Sequence, residues 1–196
     1  HHFTIFTTLR DSSESLIHAF ASSRLDYCNS LHYGLPQVQI NKTQRVKNAA
    51  ARLIPGQPRF CHTTPVLSQL HWLPIKYCTE FKILLMTFKA IQGMVPDYIC
   101  KLISRKKSTG YSLKASKKVM LEVPRGKKLP TLGGRAFCYA APKLWNNLPG
   151  EISSLDSLSN FICLVKTYLL KQALTCSRVF ISFNLLFIIY NCFISF

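Results

Sequence analysis

The sequence predicts a mostly α protein, a helical bundle that carries a basic loop or short β-hairpin as an insertion. Three observations lead there. Apolar residues recur every three or four positions through segments 37–54, 75–92 and 158–169, the spacing of one face of an α-helix. Glycine and proline fall between such segments, at Tyr33-Gly34-Leu35-Pro36, at Pro55-Gly56-Gln57-Pro58 and at Gly93 with Pro96, where they end or restart helices. One stretch, Lys101 to Arg135, instead holds eleven Lys and Arg against a single acid, Glu122. With 48% hydrophobic residues in 196, the chain has enough apolar material for the core of one domain or two small ones.

The first helix opens on Asp11 with Glu14 three residues on, a capping-box-like start. Ile17, Phe20, Ala21, Cys28 and Leu31 continue it, and Gly34 and Pro36 close it. Arg24 interrupts the apolar row, so it either snorkels or meets Asp26 or a neighbour. In the next helix, 37–54, Asn41, Lys42, Arg45, Asn48 and Arg52 share a stripe about 120° wide, with Val46, Ala50, Leu53 and Ile54 opposite and expected to be buried. No acid lies between Asp26 and Glu80, so these cations lack a carboxylate at helical spacing. The stripe is either a solvated face or a phosphate-contacting one.

Thr63-Thr64-Pro65 opens a short helix, Val66 to Leu70, ending before His71-Trp72-Leu73-Pro74. Pro74 starts the helix 75–92, in which Tyr77, Phe81, Leu84, Leu85, Phe88 and Ile91 share a face, and Ile83 and Met86 add a second apolar side; it should be central to the core. Gly93 caps it, and Pro96 restarts a shorter helix through Ile103. In the basic stretch, Arg105-Lys106-Lys107 and Arg125-Gly126-Lys127-Lys128 flank Val119-Met120-Leu121-Glu122-Val123-Pro124, which reads as a short strand with a hairpin partner in 129–132. Few apolar anchors fall within 104–128, so its cations should ride on a mobile segment. Between Arg135 and Leu148, Pro142 should split or kink any helix. Asp156-Ser157 caps a last helix with Leu158, Phe161, Ile162, Val165, Tyr168 and Leu169 on one face. Trp72 and Trp145 sit in apolar runs and read as core rather than as base-stacking platforms. The uncharged stretch Val179–Phe196 leaves three accounts open: read-through past a coding end, a tail anchor, or a core element.

A formal net charge of +17 points to a polyanionic partner or an acidic membrane surface. The eight acids, Asp11, Glu14, Asp26, Glu80, Asp97, Glu122, Glu151 and Asp156, are scattered, so neither a two-carboxylate hydrolase nor a carboxylate-held metal pair is expected. There is no phosphate-binding loop, nucleophile elbow or His-Glu-x-x-His motif. The histidines His1, His2, His18, His32, His62 and His71 lack acidic neighbours to orient them as bases. No catalytic residue, metal ligand or cofactor is therefore expected. The eight cysteines include no Cys-x-x-Cys pair, and Cys61-His62, with His71 nearby, is a poor zinc set because adjacent side chains on an extended segment point apart. Free, mostly buried thiols are the expectation. The chain opens His1-His2-Phe3, reaches its first methionine at Met86 and has no basic-plus-apolar signal segment. It reads as a processed product, a fragment or a translated genomic piece, intracellular rather than secreted. The candidate nucleic-acid-binding residues are Lys42, Arg45, Arg52, Arg105, Lys106, Lys107, Arg125, Lys127 and Lys128.

The strings themselves resemble a known family. Ser23-Arg24-Leu25-Asp26-Tyr27-Cys28-Asn29-Ser30-Leu31, Tyr33-Gly34-Leu35-Pro36 and Gln44-Arg45-Val46-Lys47-Asn48-Ala49-Ala50-Ala51-Arg52-Leu53 are similar to the C-terminal part of non-LTR (LINE-type) retrotransposon reverse transcriptases. The likeness continues through Leu70-His71-Trp72-Leu73-Pro74-Ile75, Phe81-Lys82-Ile83-Leu84-Leu85 and Ala140-Ala141-Pro142-Lys143-Leu144-Trp145-Asn146-Asn147-Leu148-Pro149, over residues 15 to 173. The resemblance implies an RNA-directed DNA polymerase as parent. The family's endonuclease and its catalytic aspartate pair are absent here, so polymerase catalysis carries over to no residue. What remains is similar to the helical thumb and the segment after it, which grip the template RNA or template–primer. Where the pattern has Arg-Ile before Glu-Phe-Lys, this chain has Cys78-Thr79, a departure that suggests a degenerate copy.

The expected organisation is a leader at 1–12, a thumb-like helical domain at 13–104, the basic loop or hairpin at 105–135, a helical segment at 136–174 and the apolar tail at 175–196. The expected function is sequence-independent binding to the RNA or DNA backbone, in the nucleus if the chain acts as the parent family does. The alternatives are a basic membrane-associated protein anchored by its tail, with Lys166, Lys171 and Arg178 at the headgroups, or a relic without selected function.

Overall fold

The computed structural model describes residues 15–17, 19, 23–106, 119–124 and 135–176. Asp11, Glu14, Phe20 and Ala21 of the expected first helix, the hairpin arm 129–132 and the tail 179–196 lie outside the described residues. The chain is mostly helical, with almost no strand among the described residues. Its elements are α1 (Ser23–Asp26), a 3-10 turn (Asn29–His32), α2 (Gln37–Leu53), α3 (Thr63–Gln69), α4 (Ile75–Ile91), α5 (Asp97–Cys100), α6 (Phe137–Asn146), α7 (Gly150–Ser153) and α8 (Leu158–Cys176). They form two compact units. The first runs to Cys78 and takes up α8 again from Leu170; the second spans Thr79–Leu169.

In the first unit the expected early helix does not continue to Leu31. Tyr27 N–H still bonds Ser23 C=O at 3.1 Å, but Cys28 turns left-handed, at φ 52°, and Leu31 N–H then bonds Cys28 C=O at 3.0 Å. A left-handed residue with a Cβ cannot sit inside an α-helical ladder, so the helix stops and a 3-10 turn replaces it. Cys28 and Leu31, expected on a core face, are exposed. Gly34 does adopt the left-handed conformation, at φ 69°, and Pro36 precedes α2 directly.

The α2 helix lies where its periodicity places it, with Ala50 and Ile54 buried as expected, but its buried face is rolled by about 65°. Its buried residues are Lys47, Ala50 and Ala51, followed by Ile54, whereas Val46 and Leu53 are 56% and 69% exposed. The two small alanines let α2 approach α3, and Ala50, Ala51 and Ile54 join Val66, Leu67 and Trp72 in one cluster, with Ile17 and Leu70 half-buried against it. Lys47 takes the remaining place on that face. Its Nζ lies 3.1 Å from Cys78 Sγ and 5.8 Å from the centre of the Trp72 ring.

In the second unit, Phe88 of α4 stacks on Phe161 of α8 at 4.2 Å, and Phe161 stacks on Trp145 of α6 at 5.8 Å. Ile83, Leu84 and Leu85 are buried around α4, as is Val165 on α8, while Met86 faces outward. Of the two outcomes expected at Pro142, the split does not occur, and α6 runs from Phe137 to Asn146 through the proline. It costs the helix the bond that an N–H at 142 would give to Cys138 C=O, and its ring is among the fully buried groups of the core. After Pro96, α5 lasts one turn and ends at Cys100 rather than Ile103, because Leu102 and Ile103 bond three residues back, to Ile99 and Cys100. The extended segment 119–122 pairs antiparallel with Ser104–Lys106 through Lys106 N–H to Met120 C=O at 2.9 Å and Glu122 N–H to Ser104 C=O at 2.8 Å. From the other side Asn146 donates to Leu121 C=O at 2.9 Å and accepts from Leu121 N–H at 3.0 Å, while Trp145 Nε1 donates to Val119 C=O at 2.8 Å.

Candidate nucleic-acid interface

In the first unit, the packing of α2 on α3 fixes which cations face water. Lys42 and Arg45 are exposed on the side of α2 away from Ala50 and Ala51. Arg52 shares their stripe but is half-buried and committed: Nε donates to Cys61 C=O at 3.2 Å and Nη2 to Thr63 Oγ1 at 2.7 Å. It ties the segment leading into α3 against the cationic face of α2, so of the three expected binding residues two stand free for a ligand and one is a strut. Lys47, the fourth cation of α2, is turned inward.

The turn that Arg52 holds is ordered by its own bonds. Gln57 N–H reaches Arg52 C=O at 3.0 Å, Cys61 N–H reaches Pro58 C=O at 3.0 Å, and Cys61 Sγ donates to Gln57 Oε1 at 3.3 Å. Gly56, at φ 65°, makes the bend that starts it. Arg59 and Phe60 project from its tip, and Phe60 is 97% exposed. Neither was signalled by helical periodicity. The available clue was that Phe60 falls in a Pro-Gly turn, outside every apolar row, beside an arginine.

In the second unit, Arg105 and Lys106 are exposed. They stand on the paired segments 104–106 and 119–122 rather than on an unanchored loop, because Leu121, 2% exposed, anchors the pair in the core. Arg105 is partly engaged, its Nη2 capping Ile91 C=O at the end of α4 at 3.0 Å. Lys107, Arg125, Lys127 and Lys128 lie outside the described residues. Trp72 and Trp145 are 8% and 1% exposed and so are not surfaces for a base.

Among the described residues no group of three His, Cys, Asp or Glu side chains could hold a metal ion, and no helix is long and apolar enough to cross a membrane. Among the described cysteines, all free thiols, Cys78 is buried, Cys61, Cys100, Cys138 and Cys163 are half-buried and Cys28 is exposed, so they are less buried than the sequence led one to expect. Comparison with models of known families, with curated proteins and with solved structures returns no match for this chain.

Proposed function

We propose that the chain binds the phosphate backbone of RNA or DNA without sequence preference and without catalysis, as the C-terminal remnant of a LINE-type reverse transcriptase. The observation that carries the binding is the exposed Lys42–Arg45 face, with exposed Arg59 on the turn that Arg52 holds, in the segment 27–79, which holds six Lys and Arg and no acid. An ordinary solvated helix face interleaves acids with its bases. Here the cations repel one another and a polyanion relieves that repulsion while releasing its own counterions. The residue strings support the family origin; the scarcity and scatter of carboxylates support a binding role over a catalytic one.

The test is a titration of the full chain with labelled single-stranded RNA and with a primer–template duplex, across about 50 to 200 mM salt. Binding with a Kd of roughly 10⁻⁶ to 10⁻⁴ M, falling linearly in log–log form with salt, is the expected result. No binding at the lowest salt, or an affinity flat with salt, overturns it.

A further inference from the structure

We infer that Phe60, with Arg59, is a base-stacking platform that makes the α2 surface prefer single-stranded nucleic acid to duplex. The inference rests on the phosphate-binding reading above and adds to it a specific residue and a specific form of ligand. Three features carry it. A phenylalanine at 97% exposure gives up the burial that normally makes the residue useful to a fold, so its position calls for a partner from outside. The turn that displays it is closed by three internal hydrogen bonds and clamped by Arg52, so little freedom is lost when a flat ligand lands on the ring. And the clamp fixes the turn to the same face of α2 that carries Lys42 and Arg45, a row whose two free cations lie about 15 and 10 Å along the helix axis from the Arg52 clamp.

A backbone lying along Lys42 and Arg45 therefore runs toward a ring at the end of the row. A base that is free to turn out of its strand can stack on that ring, and the Arg59 guanidinium can meet the adjoining phosphate or the face of the next base. A base held in a duplex cannot do so without unpairing. Phosphate contacts serve both forms of ligand; the ring serves only one.

The experiment uses the full chain and compares Phe60→Ala, Phe60→Tyr and the parent by fluorescence anisotropy. The ligands are a labelled single strand, the same strand with abasic sites, and a duplex of equal length. Stacking of one base predicts that Phe60→Ala weakens single-strand binding roughly 5- to 100-fold, leaves duplex binding within about twofold and leaves the salt slope unchanged, since no ion is released by a ring. Phe60→Tyr should restore binding, and abasic strands should no longer distinguish Phe60→Ala from the parent. Equal loss for single strand and duplex, or no loss for either, overturns the platform while a steep salt slope in the parent keeps the phosphate-binding reading intact. No oligonucleotide binding by the parent overturns both. Binding to anionic lipid vesicles that requires Phe60, without preference for single strands, also overturns it, in favour of a membrane surface.

Discussion

Two helices in this protein each hold a neighbouring segment by side-chain hydrogen bonds, and they do it in different ways. At the end of α6, Asn146 grips both polar groups of Leu121 and Trp145 grips Val119, with Leu121 and Trp145 buried at 2% and 1% exposure. At the end of α2, Arg52 grips Cys61 and Thr63 from a half-exposed position with a charged fork. Asn146 and Arg52 are both half-buried, but the first grip is neutral and doubly satisfied, and the Leu121 groups it serves are 2% open to solvent. The second is charged and its partners sit on half-buried residues, where water can replace each of its bonds. Bonds of similar length therefore differ in what their loss costs, because cost follows the solvation of the group left behind.

The sharpest test of that contrast is Asn146→Ala. It leaves Leu121 N–H and C=O without the partner the side chain supplied, in a place 2% open to solvent, and a cost of about 2–4 kcal/mol is expected from two such groups. Asn146→Asp should cost as much, because a carboxylate still accepts from Leu121 N–H but turns an oxygen against Leu121 C=O. Asn147→Ala, one residue on and exposed, should be nearly silent. Urea denaturation midpoints of the three variants decide it. Equal midpoints for the 146 and 147 variants would mean that 119–122 is held by Leu121 packing alone.

The intermediate effect belongs to Arg52. Arg52→Gln removes two bonds whose partners can turn to water, so about 1 kcal/mol is expected by the same measurement. Arg52→Lys should fare no better, since a point charge cannot reproduce two divergent donors. If Arg52→Gln were silent on stability but weakened binding as strongly as a change at Lys42, the residue would belong to the interface and not to the strut.

How much of this was legible in the sequence depended on whether one residue or several decided the outcome. Helices α2, α4 and α8 were legible because each sums many apolar positions, and left-handed Gly34 and Gly93 marked the turn before α2 and the end of α4. The break after α1 was not, since Cys28 turns left-handed where nothing about a cysteine asks for it. That Pro142 leaves α6 unsplit was not legible, because the rule against proline weighs a lost hydrogen bond and not the burial of its ring. The rolled face of α2 was hidden for a related reason. Val46 and Leu53 are more hydrophobic than Ala50 and Ala51, but packing at close range favours small residues, and the long stem of Lys47 can lie on Trp72. The same blindness reached the interface. Lys42, Arg45 and Arg52 are alike by spacing, and only the position of the 61–63 segment separates two free cations from one that is engaged.

The smallest effect on stability, and the most informative for function, is expected of Lys42→Gln combined with Arg45→Gln. Both side chains are exposed, so the midpoint should move by no more than about 0.5 kcal/mol in either direction; removing repulsion from an acid-free segment favours a slight gain. Binding should respond differently. Each phosphate contact removed takes about 0.7 from the salt slope on single strands and about 0.9 on duplex, so the pair should flatten the slope by roughly 1.4 to 1.8 if both residues touch phosphate. Because the helix fixes these side chains before a ligand arrives, the loss should fall mainly on the dissociation rate. Neutralising Lys106, which adds long-range attraction from the second unit, should fall mainly on association. Rates at two salt concentrations separate the cases. A double variant that keeps the parent's slope and dissociation rate would return Lys42 and Arg45 to the status of a solvated face, and would leave Arg52 as the one cation of that stripe with a defined task.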